Sequence, residues 1–228
     1  MKVRLMLLNV ILKMMGMLLV SVMTILILFQ LAEAFTWTEV EEAGDLPGTA
    51  QRITQNEANE ALEFITGSLS SPTDVDMYAI FITGGGNFSA TTVGWTVDVD
   101  TQLTLYDSSG IGIYSNDDFA TDIPQSTLPA FNPLTPTTPG LYYLAISDWD
   151  YDPLSDGGYI FPHPTTGLAD TAVDGPTGPG GGLPVNGWGG ISTIGGGSYT
   201  IALTGATGVG HLPKQTNLPW ILLLLLSD

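Results

Sequence analysis

Short runs in which apolar and polar residues alternate recur along the chain from residue 61 to residue 204. The clearest covers residues 75–82, where Met77, Ala79 and Phe81 alternate with Tyr78, Ile80 and Ile82. Alternation at every second residue is typical of a β-strand whose two faces differ. Eight runs of this kind predict strands over residues 61–68, 75–83, 88–93, 101–106, 112–115, 126–131, 141–147 and 198–204. Residues 56–64 have a helical pattern that is too short to predict a helix.

Turn sequences separate these runs, as Asp107-Ser108-Ser109-Gly110 does between two predicted strands. A parallel sheet would need crossover helices between its strands, and the pattern predicts none. We therefore expect an all-β protein, an antiparallel β-sandwich or jelly-roll-like fold of about eight strands, over residues 35–206.

A long stretch, residues 148–197, interrupts the pattern before the last predicted strand. Its centre, residues 175–182, contains only Gly, Pro and one Thr, which predicts an irregular surface insertion. The stretch also carries large aromatic side chains, which we expect to pack back on the sandwich, although they would serve equally as a binding surface. They are Trp149, Tyr151, Tyr159, Phe161 and Trp188.

The first 34 residues have the pattern of an export signal. Lys2, Arg4 and Lys13 precede an uncharged run over residues 14–29, and Ala32-Glu33-Ala34 supplies small residues at a cleavage site. We predict a signal peptide over residues 1–34, with an uncleaved membrane anchor as the alternative. Residues 207–228 form a predicted tail whose leucine run, 222–226, is too short to span a bilayer.

Charge is strongly unbalanced, with 23 acidic and five basic side chains and a formal net charge of −18. Removal of residues 1–34 would leave Arg52 and Lys214 as the only Lys or Arg. Such a surface repels phosphate backbones, which excludes electrostatic binding to nucleic acid. The chain has no cysteine, so it cannot form a disulfide framework.

Aspartates cluster in short segments beside the predicted strands, and the chain holds too few basic residues to neutralise them. A hard cation that takes six to eight oxygen ligands, such as calcium, would do so. We predict a calcium site with Asp100 as an alternate or supporting ligand and these principal ligands: Asp74, Asp76, Asn116, Asp117 and Asp118. Zinc is disfavoured, since there is no Cys and there are two His. The alternative is that these aspartates cap turns, as we expect of Asp107.

Catalytic patterns are weak in this chain. His163 and His211 do not stand in a nucleophile–base spacing, and neither a G-x-S-x-G nor an H-E-x-x-H motif is present. Paired carboxylates leave one enzymatic alternative, a small secreted hydrolase acting on polysaccharide.

An ordered set of motifs resembles the bacterial pre-peptidase C-terminal domain family. The matching segments are Glu42-Ala43-Gly44-Asp45, Asp74-Val75-Asp76-Met77-Tyr78, the hairpin over residues 100–110, Asn116-Asp117-Asp118, residues 139–146 and residues 198–203. The start differs from the family's usual E-x-N-D form. The leucine run is similar to the tails of exosortase-processed proteins, without their Pro-Glu-Pro and basic end.

The resemblance implies a stand-alone, divergent member of a family of secreted, calcium-associated β-sandwich modules. We therefore expect a non-catalytic extracellular or cell-surface protein of a bacterium, with an accessory, adhesion or polymer-binding role. The expected partner is a glycan or another cell-surface polymer. Membrane contact is expected only during export or through a retained N-terminal segment.

Overall fold

The computed structural model describes residues 35–55, 60–96, 99–162, 171–190 and 195–211. Within these ranges the protein is all-β and contains no helix. These residues therefore include no helix that is long and apolar enough to cross a membrane. The strands are β1 (Phe35–Thr38), β2 (Gln51–Arg52), β3 (Thr54–Gln55), β4 (Leu62–Ser68), β5 (Val75–Ile82), β6 (Ser89–Thr91), β7 (Thr101–Asp107), β8 (Gly112–Asn116), β9 (Thr127–Leu128), β10 (Gly140–Asp148), β11 (Tyr151–Ser155), β12 (Gly158–Tyr159), β13 (Gly187–Gly190), β14 (Ser198–Thr204), β15 (Ala206–Gly208) and β16 (Gly210–His211).

Two sheets form the sandwich, which confirms the predicted fold. The five-stranded sheet has the order β1-β4-β14-β6-β9, and the six-stranded sheet has the order β15-β5-β10-β7-β8 with β2 also on β5. Most pairs are antiparallel, but β1 pairs with β4, β2 with β5 and β3 with β16 in parallel. All eight predicted strands are present, although β6 and β9 are shorter than expected. Residues 62–64, at the end of the helical pattern, are strand.

Alternation along β5 places side chains in two separate cores. Tyr78 and Ile80 face the five-stranded sheet and pack with Ile65 and Ile201 between the two layers. Met77, on the opposite face of the strand, packs into a smaller core on the outer side of the six-stranded sheet. Because both faces of β5 are covered, every residue of the strand except Phe81 is buried.

The insertion covers the outer face of the six-stranded sheet, and the prediction that it is irregular throughout is wrong. It contains a three-stranded sheet, β12-β11-β13. Phe161 is buried in the outer core, and Tyr151 and Trp188 pack against that core, so the expectation that the aromatics pack back on the sandwich is confirmed for these three. The glycines permit close packing, because a Cβ at Gly178 would overlap the carbonyl oxygen of Tyr159.

Several expectations fall outside the described residues. These are the signal peptide over residues 1–34, His163 in the insertion and the leucine run over residues 222–226. At the other end of the domain the sheets continue beyond residue 206, because β15 and β16 extend into the segment expected to be a tail.

Candidate metal centres

Six carboxylates gather in two clusters at one end of the six-stranded sheet, where β5 and β7 begin and β8 and β10 end. The Asp76 cluster consists of Glu39, Glu42 and Asp76, and the Asp100 cluster consists of Asp100, Asp117 and Asp118. In each cluster, one oxygen from every carboxylate lies within 4.8 Å of the others. Four of the six predicted ligands therefore lie in these clusters, with Asp76 in one and Asp100, Asp117 and Asp118 in the other.

Asp76 lies between the two sheets and has no exposed surface. It faces inward from the second position of β5, on the side of the strand that carries Tyr78. Its Oδ2 accepts a hydrogen bond of 2.7 Å from the Tyr199 hydroxyl of β14, which in turn contacts the Tyr78 hydroxyl at 2.5 Å. Its Oδ1 is buried, and no N–H or O–H of the described residues reaches it. A buried carboxylate oxygen without a donor calls for a proton or a cation.

The other two members of the Asp76 cluster come from the segment that follows β1. Glu39 is fixed by two backbone donors, since Oε1 accepts from Ala43 N at 3.1 Å and Oε2 from Ser68 N at 3.0 Å. The segment docks on β5 through the hydrogen bond from Met77 N to Gly44 O, which is 3.2 Å long. Parallel pairing of β1 with β4 therefore carries Glu39 and the nearby Glu42 to Asp76.

The electrostatics of the Asp76 cluster favour neutralisation. The pKa of Asp76 is raised to about 8, first by burial and then by repulsion from Glu39 and Asp74, while the hydrogen bond from Tyr199 partly opposes this rise. Partial desolvation, and then the Asp74 carboxylate, raises the pKa of Glu42. Arg52 is the only Lys or Arg among the described residues, and it is exposed. No basic side chain of that part of the chain compensates the cluster.

The Asp100 cluster is built by a hairpin. Asp100 precedes β7, while Asp117 and Asp118 follow β8, which pairs antiparallel with β7. The Asp100 Oδ1 is buried and receives no hydrogen bond from the described residues. Burial, together with repulsion from Asp118 and from Asp148, raises the pKa of Asp100 to about 7. Asp148, the last residue of β10, is fully buried and adds a fourth carboxylate to this end of the sheet.

Asn116, a predicted ligand, makes three hydrogen bonds at the end of β8. Its Oδ1 accepts a hydrogen bond of 2.7 Å from Thr127 N, and its Nδ2 donates to the carbonyl oxygens of Asp118 and Ala172 at 3.0 and 2.9 Å. The side chain therefore fixes the loop that presents Asp117 and Asp118.

Two other predicted residues act at turns. Asp74 accepts a hydrogen bond from Ser70 N and closes the turn before β5, beside the Asp76 cluster. Asp107 accepts from the backbone N–H groups of Ser109 and Ile111 at 2.8 and 3.0 Å, which confirms that it caps its turn.

Both clusters have dimensions suited to a calcium ion. Calcium–oxygen distances are about 2.3–2.6 Å, so two oxygens on one ion stand at most roughly 5 Å apart. The separations of up to 4.8 Å meet this limit. Calcium also accepts backbone carbonyls and water, which would complete a coordination shell begun by three carboxylates.

Sequence reasoning did not assign Glu39, Glu42 or Asp148 as ligands. Glu42 lies within the motif that resembles the start of the pre-peptidase C-terminal domain family, which was the one available signal for it. Asp148 ends a predicted strand, and only the pairing of β10 with β7 brings it to Asp100. No family model matches this chain, and no curated protein is significantly similar to it.

Proposed function

We propose that this protein is an exported, non-catalytic β-sandwich module that binds calcium and acts outside the cell as an accessory, adhesion or polymer-binding protein. The observation that carries the proposal is the Asp76 carboxylate, whose Oδ1 is buried and reached by no donor of the described residues and which lies beside Glu39 and Glu42. A divalent cation satisfies all three carboxylates at once.

Calcium suits these clusters better than other common ions. Magnesium needs a tighter octahedron and keeps much of its water, whereas calcium accepts irregular sets of carboxylate and carbonyl oxygens. Zinc favours Cys and His, and each cluster consists of carboxylates alone. Low-affinity calcium sites are typical of extracellular modules, which agrees with the export signal expected over residues 1–34.

The close spacing of the carboxylates favours metal binding over glycoside hydrolysis. The two catalytic carboxyl groups of retaining glycosidases stand about 5–5.5 Å apart, and those of inverting enzymes stand roughly 6.5–9.5 Å apart. Within each cluster, one oxygen of every carboxylate lies within 4.8 Å of the others, which is closer than either spacing. The resemblance to the pre-peptidase C-terminal domain family supports the same choice, and it supports a glycan or cell-surface polymer as the partner.

Calorimetry and thermal melting of chelator-stripped protein test the proposal. Calcium at a hundredfold excess over the dissociation constant of the Asp76 cluster should stabilise the fold by about 2.7 kcal/mol. For a domain of this size that raises the melting temperature by about 5–10 °C, and magnesium should raise it less.

Asp156→Ala is the matched control, since Asp156 is an exposed aspartate in the turn between β11 and β12. That variant should keep the full calcium shift. The calcium proposal fails if millimolar calcium leaves the melting temperature of the stripped wild-type protein unchanged.

A further inference from the structure

We propose that the outer face of the five-stranded sheet is the binding surface for a neutral polysaccharide. This surface, the hydroxyl face, is formed by outward residues of β1, β4, β14, β6 and β9. It comprises Thr36, Thr38, Phe64, Thr66, Ser68, Ser89, Thr91, Thr127, Ser198, Thr200, Ala202 and Thr204. The inference deepens the polymer-binding part of the proposed function and does not depend on calcium.

Strand register places these side chains on one surface. Ile65, Tyr199 and Ile201 point into the core, so their neighbours along β4 and β14 point outward. Thr66 pairs with Thr38 on one side and with Thr200 on the other, which makes a row across three strands. A second row crosses all five strands, through Thr36, Phe64, Ala202, Thr91 and Thr127.

The hydroxyl face carries no charged side chain, in a chain that has 23 acidic residues. Ten of its twelve residues are Ser or Thr. The net charge of −18 would repel an anionic polymer, and the face offers a cationic one no charged partner. The surface therefore selects a neutral ligand that is rich in hydroxyl groups.

Cross-strand hydrogen bonds hold many of these hydroxyls in place. Thr91 and Thr127 are 2.6 Å apart, Ser89 and Thr204 are 2.8 Å apart, and Thr38 and Thr66 are 3.2 Å apart, each between Oγ atoms. Each hydroxyl has one donor and two acceptor positions. Thr91 is saturated, because it also contacts Ser126 O and Val93 N, but Thr66 and Thr204 have two partners each and keep an acceptor position for a ligand. A fixed array loses little rotamer freedom when a ligand binds.

Trp95 supplies an aromatic platform beside this array. Its ring packs edge-on against Phe64, with centroids 4.8 Å apart, yet 53% of its surface is exposed. The adjacent Thr96 fixes the loop to β14, because its Oγ1 accepts from Thr200 N at 2.7 Å and donates to Thr200 O at 3.1 Å. A rigid, half-exposed indole next to hydroxyl donors suits a pyranose ring, which has an apolar C–H face and a rim of hydroxyls.

The opposite outer face of the sandwich, on the six-stranded sheet, is covered by other parts of the chain. There the insertion and the segment near Leu46 bury Met77, Tyr106 and Phe161 in a second core. On the hydroxyl face, by comparison, Thr38, Ser68 and Thr204 are exposed. A flat β-linked glucan chain, which is neutral and presents sugar faces and hydroxyls alternately, is the occupant that this chemistry fits.

The test is a pull-down of the purified full chain on microcrystalline cellulose, with soluble β-glucan in affinity electrophoresis as the second probe. Trp95→Ala should lower the binding constant by about tenfold, as loss of a central aromatic contact does. Thr66→Glu should abolish binding, because it places a buried carboxylate beneath the ligand. Phe81→Ala and Thr207→Glu, which alter the outer face of the six-stranded sheet, should bind like wild type.

Every assay is run with calcium and with chelator, and melting temperatures of all variants confirm folding. Glucan binding without a calcium shift would sustain this inference while refuting the calcium proposal, and the reverse result would refute this inference alone. The inference is overturned if the wild-type protein binds neither cellulose nor soluble β-glucan, or if Trp95→Ala binds them with unchanged affinity. It is also overturned if gel filtration shows that Trp95→Ala only dissociates a dimer, since a second copy would then occupy the face.

Discussion

The two carboxylate clusters differ in how the chain assembles them. The Asp100 cluster comes from one hairpin, with ligands on either side of β7 and β8. The Asp76 cluster joins β5 to the segment after β1, and Tyr199 of β14 holds its central carboxylate. The first is a local site, whereas the second connects segments from the start, the middle and the end of the domain.

This difference separates two consequences of calcium binding. An ion in the Asp100 cluster would fix a loop that Asn116 already orders through three hydrogen bonds. An ion in the Asp76 cluster would join the N-terminal segment to the inter-sheet core and compensate a fully buried carboxylate. We therefore expect the Asp76 cluster to control global stability and the Asp100 cluster to control local order.

The largest effect is expected from removing one cluster at a time. Wild type should bind two calcium ions, Asp76→Asn and Asp100→Asn should each bind one, and the double variant should bind none. Asp76→Asn keeps a side-chain oxygen for Tyr199 and should lose most of the calcium-induced rise in melting temperature, about 5–10 °C. Titration calorimetry and melting curves measure both quantities. Equal losses of stabilisation in the two single variants would contradict the proposed division of roles.

The pH dependence should come next in size. The folded-state pKa values of Asp76 and Asp100 are raised to about 8 and about 7 from an ordinary value of 3.8. Their contribution to metal-free stability is therefore full below about pH 4 and is lost as pH rises through those values. The melting temperature of stripped protein should fall between pH 5 and pH 8.5, and the calcium-induced rise should grow. Asp76→Asn should flatten both trends, and a flat profile in stripped wild type would count against the raised pKa values.

Gly67→Ala should weaken the Asp76 cluster alone. A Cβ at Gly67, the next-to-last residue of β4, would lie 2.6 Å from Glu39 Oε2 and would overlap the Tyr199 hydroxyl. Overpacking of this kind costs about 1–3 kcal/mol, and here it displaces two groups that position the site. Gly48→Ala is the matched control, because a Cβ there has nothing within 4 Å. If calcium affinity at the Asp76 cluster were unchanged, Glu39 would not be one of its ligands.

The smallest effect is expected from Asn116→Ala. The substitution removes the hydrogen bonds that hold the Asp118 carbonyl and Thr127 N, so the ligand loop gains freedom. Calcium affinity at the Asp100 cluster should fall several-fold, which corresponds to about 1 kcal/mol, while the Asp76 cluster keeps its affinity. Calorimetry on the Asp76→Asn background isolates that remaining site. A complete loss of binding would show that the Asn116 oxygen is itself a ligand.

The sequence predicted the main strands because alternation reports burial directly. In β14 the buried residues Tyr199, Ile201 and Leu203 alternate with more exposed ones, whereas β5 is apolar on both faces and is buried on both. The two-residue strands β2, β12 and β16 have no such pattern, since their formation depends on a neighbouring strand. The strands of the Gly- and Pro-rich insertion were not predicted, because composition does not show where two backbone segments pack closely. Gly178 allows such packing, since its backbone lies against the carbonyl of Tyr159.

The candidate ligands were predictable only where they are local. Asp117 and Asp118 follow one strand and Asp100 precedes its neighbour, so a hairpin alone brings them together. Glu39 reaches Asp76 through the parallel pairing of β1 with β4, and no sequence pattern within either strand predicts that pairing. Asn116 has the right chemistry for a ligand, but its hydrogen bonds are decided by where Thr127 and Ala172 come to lie.

The central place of β14 has a consequence for the order in which the protein can fold. β14 lies between β4 and β6, and the Tyr78–Tyr199 contact joins residues 121 positions apart. A nascent or translocating chain that ends before residue 198 lacks the strand that joins the two halves of the five-stranded sheet. Pairing across such a separation is slow, because the loop must close before the contacts form. The five-stranded sheet can consequently be completed only after β14 is available to pair with β4 and β6.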